Sequence, residues 1–182
     1  SRLLGIAGIK KGAYEAILMQ GSGTFGIESV IGSAIARNGK LLVIINGAYG
    51  RRVVKIAQVL NIEVVELSYP ENKLPDINEI KTTLKNDAGI SHVALIHCET
   101  TTGLLNPLND IGKIVHEFGK IFIVDAMSSF GAIPIDFNKA HIDYLITSSN
   151  KCVEGVPGFS IIFVKTEVLK QIDGQARSLS LD

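Results

Sequence analysis

The sequence predicts an α/β fold, a three-layer αβα arrangement around a mostly parallel sheet, and three observations predict it. Short runs rich in β-branched residues alternate with amphipathic runs along most of the chain, the pattern of stacked strand–helix–strand units. The strand-like runs are almost continuously apolar, so both faces of the sheet are expected to be covered. The composition, 46% hydrophobic and 20% charged over 182 residues, fits one soluble globular domain with an ample core.

Taken in order, AILMQ (16–20) is the first strand. QGSGTFG (20–26) ends it, and Ile27, Val30, Ile31 and Ala34 then keep the i, i+3, i+4, i+7 spacing of one helix face. LLVIIN (41–46) is a second strand, followed by the helix face Val53, Val54, Ala57 and Leu60. EVVEL (63–67) precedes the face Ile77, Ile80 and Leu84, and HVALIH (92–97) precedes Ile111, Ile114, Val115 and Phe118. IFIVD (121–125), YLITS (144–148) and FSIIFV (159–164) are the remaining strands, and TEVLKQI (166–172) reads as helical. No internal repeat, low-complexity tract or long linker interrupts this order. In such a sheet polar residues gather at the strand ends, where open α/β sheets hold their ligands.

Eighteen basic and eighteen acidic residues cancel, which argues against nucleic acid or an anionic membrane surface as a partner. Apolar runs such as LLVII are far shorter than the roughly 20 residues a membrane span requires. Cys98 and Cys152 make no disulfide framework and carry no metal-ligand spacing, which fits a cytoplasmic location and no metal. Residues 1–182 are expected to be one domain and a fragment of a longer protein.

Four polar features stand at strand ends. Gly21, Gly23 and Gly26 match G-x-G-x-x-G, but the next strand ends in Asn46 where a dinucleotide site would place an acid. Two readings stay open: a site for a single phosphate at a helix N-terminus, with Ser22 and Thr24 adding hydroxyls, or a tight turn with Ser22 as its cap. Asp125 closes IFIVD, where burial would call for a cationic partner, unless it caps the following turn through Ser128. HCETTTG (97–103) is either a ligand-orienting cluster or a solvated loop turning at Gly103, with His97 a satisfied core histidine. Lys151, in SSNKCVEGVPG (148–158), follows an apolar strand among small residues, where partial desolvation would favour a nucleophilic amine. A lysine for an aldehyde, an anion site for a phosphate and a carboxylate for a ring nitrogen together describe the needs of pyridoxal 5'-phosphate.

The ordered blocks GSGTFGIES, NGAYGRR, HCETTTGLLNP, VDAMSSFGAIPID, SSNKCVEGVPGF and RSLSLD closely resemble the 2-aminoethylphosphonate:pyruvate transaminases, within the class V, fold-type I aminotransferases that use pyridoxal phosphate. The resemblance implies that Lys151 bonds the cofactor aldehyde and that Asp125 partners its ring nitrogen. Ser22, Gly23 and Thr24 would hold its phosphate, Tyr49 would stack on its ring, Thr100 would lie near its 3-oxygen, and Asn150 would approach the phosphate. It further implies amino transfer from 2-aminoethylphosphonate to pyruvate in a homodimer, with this chain as the large cofactor-binding domain. An N-terminal segment and a smaller C-terminal domain carrying a substrate-anchoring arginine would belong to the rest of the protein. An alanine- or serine-glyoxylate aminotransferase is the alternative within the family, and a dinucleotide-dependent oxidoreductase domain the alternative outside it. A cysteine desulfurase would usually place His before the lysine, where this chain has Asn150.

Overall fold

The computed structural model describes residues 2–10 and 12–182; Ser1 and Lys11, both inside the 1–182 span expected to form one domain, lie outside the described residues. The strands are β1 (Tyr14–Gln20), β2 (Lys40–Ile45), β3 (Glu63–Ser68), β4 (Ile90–Ile96), β5 (Ile121–Asp125), β6 (Tyr144–Ser148) and β7 (Phe159–Lys165). Each falls on an expected apolar run. The helices are α1 (Arg2–Ile6), α2 (Gly23–Ala34), α3 (Ala48–Val59), α4 (Ile77–Asn86), α5 (Leu108–Glu117) and α6 (Thr166–Leu169). The helix expected over 166–172 stops at Leu169, because the amides of Gln171 and Ile172 turn back to carbonyls three residues earlier on the way to Gly174 at φ 72°.

Side chains along each strand alternate between two cores. Leu42, Ile44, Val93, Leu95, Phe122, Val124 and Phe163 pack with α4 and α5, whereas Leu41, Val43, Ile45, Ala94, Ile123, Ile146 and Ile162 pack with α2 and α3. The period-2 alternation of a strand therefore fills both faces with apolar residues, giving the three-layer arrangement.

The sheet order is β1-β7-β6-β5-β4-β2-β3. Pairs β2–β3, β2–β4, β4–β5 and β5–β6 are parallel, while β7 runs antiparallel to both neighbours, β1 and β6. The reversal follows from chain length: a parallel return needs a crossover of about a dozen residues or more, usually helical, and the Gly- and Pro-containing link over 149–158 is a loop. As a result the carboxyl ends of β1, β2, β5 and β6 and the amino end of β7 share one edge of the sheet. At the opposite edge Arg177, in the closing RSLSLD block, donates to the carbonyls of Leu60 at 3.0 Å and of Ile35, tying that segment to the C-terminal ends of α2 and α3. A guanidinium suits these carbonyls, which have no intrahelical donors.

Candidate active site

A cavity of about 480 Å³ lies beyond the carboxyl ends of β5 and β6, walled by the first turns of α2 and α3 and by the 149–158 loop. Its α2 wall is the glycine turn, and each glycine there has its own structural reason. Gly21 takes φ 131°, a left-handed backbone that side chains disfavour. A Cβ on Gly23 would stand 2.5 Å from the Met127 sulfur, and one on Gly26 would stand 2.5 Å from the Ser160 hydroxyl. The turn thus brings α2 against the β5 and β6 ends without requiring a dinucleotide.

The capping reading of Ser22 holds: its Oγ accepts the Phe25 amide at 3.2 Å. The amides of Gly23 and Thr24, the first two helical residues, have no carbonyl four residues back within the helix, and both residues line the cavity. Opposite them is a residue that its place in the sequence does not single out. Ser148, 4% exposed and lining the cavity, has a hydroxyl with no hydrogen-bond partner, and its Cβ lies 3.5 Å from the ideal Cβ position of Gly23. A buried hydroxyl without a partner, beside two open amides, is the arrangement of an anion site.

Asp125 stands at the same edge, 7% exposed. Burial pushes its carboxyl up to about 6, and Glu99 adds to the rise, while the Met127 amide and the Lys151 charge pull it down. The turn-cap alternative is realised in part, since Oδ1 accepts the Met127 amide at 2.9 Å rather than engaging Ser128. Across the cavity Tyr49 opens α3. Lys151 Nζ lies 5.5 Å from the Tyr49 ring centroid and the Arg52 guanidinium 5.1 Å from it, both within cation–π reach.

One expectation needs correction. Lys151 is exposed, so the partial desolvation expected from its sequence setting is not met; the loop over 149–158 carries it outward past the end of β6. Thr100 is exposed on the turn after β4 and does not line the cavity, although the resemblance places it by the cofactor. Ser22, Gly23, Thr24, Tyr49, Asp125, Asn150 and Lys151 all line it.

The remaining strand-end groups serve the fold. His97 Nδ1 lies 2.9 Å from Ser129 Oγ, both residues being buried, and burial lowers the His97 pKa; it is the satisfied core histidine expected. Glu99 is fully buried and accepts the Gly50 amide at 3.0 Å and the Tyr49 amide at 3.4 Å. It caps α3 from a distant part of the chain, because the residue at the cap position is Gly47, with no side chain of its own. A Cβ on Gly47 would come within 2.3 Å of that carboxylate. Asn46 exchanges amide hydrogen bonds with Asn106 at 2.7 and 3.1 Å, and so offers no carboxylate for a ribose.

The site residues fit pyridoxal phosphate: the open amides and Ser148 suit a phosphate, Tyr49 a flat ring, and a carboxyl raised by burial a cationic ring nitrogen. Among the described residues no cluster of His, Cys, Asp and Glu could hold a metal ion, and no helix is long and apolar enough to cross a membrane.

Residues 8–177 match the profile of the Aminotransferase class-V family, and the chain belongs to that family. It is 51% identical over 181 residues to the 2-aminoethylphosphonate–pyruvate transaminase of Lysinibacillus sphaericus (strain C3-41), covering 100% of this chain and 50% of that protein. To the enzyme of the same name from Vibrio vulnificus (strain CMCP6) it is 53% identical over 169 residues, 93% of this chain and 46% of that protein. The chain spans about half the length of these curated relatives. Among solved structures, the alanine–glyoxylate aminotransferase of Nostoc sp. superposes with a TM-score of 0.90 at 26% identity, over 99% of this chain and 48% of that one.

Proposed function

We propose that the protein bearing this chain is a pyridoxal 5'-phosphate-dependent aminotransferase that moves the amino group of 2-aminoethylphosphonate to pyruvate, giving phosphonoacetaldehyde and alanine. The observation that carries the proposal is the meeting of Lys151, Asp125 and Tyr49 with the α2 N-terminus around one cavity. The relatives at about half identity, named for that reaction, support the choice of amine and acceptor over a glyoxylate aminotransferase.

Bound in the cavity, pyridoxal phosphate would supply an electrophilic aldehyde and a protonated ring that withdraws electrons. Lys151 Nζ would be the amine that holds the group by its aldehyde, and it would carry a proton to and from the substrate carbon. Asp125 would hold the proton on the ring nitrogen, and a cation beside it would offset the burial that raises its carboxyl and favour the carboxylate. Tyr49 would support the ring face, and Ser22, Gly23, Thr24 and Asn150 would receive the phosphate. The resemblance would also place Thr100, on the turn after β4, near the 3-oxygen.

Residues 1–182 form the large domain of a longer cytoplasmic enzyme that acts as a homodimer. Borohydride treatment of the full-length enzyme with pyridoxal phosphate tests the chemistry. The trapped pyridoxyl group is expected on the peptide containing Lys151, with 2-aminoethylphosphonate the preferred donor in an amine panel; trapping at Lys139 or another lysine would reject the assignment.

A further inference from the structure

The first turn of α3 carries two adjacent arginines with different fates. Arg51 turns to Glu71 and pairs with it at 2.6 Å. Arg52 lines the cavity and, among the described residues, has no carboxylate within ion-pair reach. Its position is nevertheless defined at both ends. Three residues after Tyr49 on the same helix face, its guanidinium lies 5.1 Å from that ring centroid, and Nη1 reaches to 3.5 Å from Thr24 Oγ1 on α2. A guanidinium against a ring still has N–H donors at its edge, in a planar fork that matches two oxygens of one oxyanion.

We propose that Arg52 is an oxyanion ligand of the cavity, gripping the same phosphate that the α2 N-terminus receives. The Thr24 contact sets the guanidinium at the α2 end. There the Gly23 and Thr24 amides lack intrahelical acceptors, and the buried Ser148 hydroxyl lacks any partner. Charge balance points the same way. Among the described residues lining the cavity, Asp125 is the one carboxylate, against the cations of Arg52 and Lys151 and the positive end of α2. Glu99 does not restore the balance, because the α3 amides occupy it. A phosphate dianion does. The inference rests on the proposed function for the identity of the phosphate bearer, pyridoxal phosphate; an anion carried by the amine substrate is the competing occupant.

The test uses the full-length apoenzyme, first titrated calorimetrically with inorganic phosphate. Arg52→Gln is expected to weaken phosphate by about tenfold to a hundredfold, the weight of a charge-assisted hydrogen bond or two. Arg52→Lys should recover part of the loss, and Arg51→Gln should leave phosphate affinity at the wild-type value. With thermal unfolding matched, Arg52→Gln should also lose affinity for pyridoxal phosphate while binding pyridoxal, which has no phosphate, as the wild type does. Unchanged phosphate affinity in Arg52→Gln, or no phosphate binding by the wild type, overturns the inference. So does a rise confined to the KM for 2-aminoethylphosphonate, which would assign Arg52 to the substrate. If Arg52-dependent phosphate binding persists but Lys151 forms no reducible bond with pyridoxal phosphate, the inference stands and the proposed cofactor falls.

Discussion

The carboxyl ends of β4 and of β5 and β6 are neighbouring parts of one sheet edge, and both bury polar side chains, yet they differ in how those side chains are partnered. At the β4 end His97 meets Ser129, Glu99 caps α3, and Asn106 bonds both Asn46 and the carbonyl of Ile96. At the β5 and β6 ends Asp125 takes one backbone amide, and Ser148 has no hydrogen-bond partner. Buried polar groups with partners stabilise and specify the fold, whereas buried groups without them carry a desolvation cost that a ligand can relieve. By that criterion His97, Glu99 and Asn106 are scaffold, and the sparser Asp125–Ser148 edge is the candidate site.

The contrast can be broken by substitution, most sharply at Lys151. Lys151→Ala and Lys151→Arg are both expected to abolish transamination by the full-length enzyme, since neither side chain supplies a neutral amine near neutral pH. Coupled assay of alanine formation checks this, and retained turnover in either variant would remove Lys151 from the chemistry.

Asp125→Asn comes next. Its expected effect is a loss of about a thousandfold in the single-turnover proton-transfer rate, the scale of a lost electrostatic partner at the reacting group. The same variant should stabilise the apoenzyme above pH 6, the opposite of its effect on rate. The folded-state carboxyl titrates near 6 against an ordinary 3.8, so the folded protein binds more protons between those values. Stability therefore falls as pH rises through that window, by about 3 kcal/mol from one end to the other. Denaturant unfolding from pH 3.5 to 7.5 should show this slope in the wild-type apoenzyme and lose it in Asp125→Asn; a slope that survives the substitution places its origin elsewhere.

On the scaffold side Glu99→Ala is expected to cost about 2 kcal/mol in urea unfolding, as the α3 amides lose a charged acceptor that Gly47 cannot replace. Asn106→Ala should cost a similar or slightly smaller amount. The smallest effect is expected at Ser148→Ala, within about 0.5 kcal/mol of wild type or mildly stabilising in the apoenzyme, because no hydrogen bond is lost. Its signature is instead weaker phosphate binding. A destabilisation as large as that of Asn106→Ala would erase the distinction between the two ends.

Much of the fold was legible locally. The seven strands and the faces of α2, α3, α4 and α5 follow from period-2 packing and helix-period spacing, which a burial pattern prints directly into sequence. Gly21, Asp125 and Lys151 were legible because each stands at or just after a strand end, whereas Tyr49 was named only by the resemblance. Glu99 was visible only as one polar residue in a loop, since its partners, the Tyr49 and Gly50 amides, lie some fifty positions earlier. A signal was available in retrospect: a helix beginning at NGAYG, with glycine at its cap position, needs its acceptor from elsewhere. Ser148 looked like one more small residue, and Arg52 like half of a basic pair.

What the sequence determined by itself was the seven strands, the apolar faces of α2 to α5 and the residues at the strand ends, because these depend on neighbours within a turn or two; α1 was not among them. Tertiary structure alone decided that β7 runs against the sheet, that α2 and α3 open onto the same strand ends, that Glu99 is consumed and Ser148 is not, and that Lys151 stands exposed beside Tyr49. Each of those outcomes is a pairing between residues far apart in the chain. A carboxylate or hydroxyl has the same composition whether its partner is present or missing, and only the folded arrangement of distant amides and cations separates the two states.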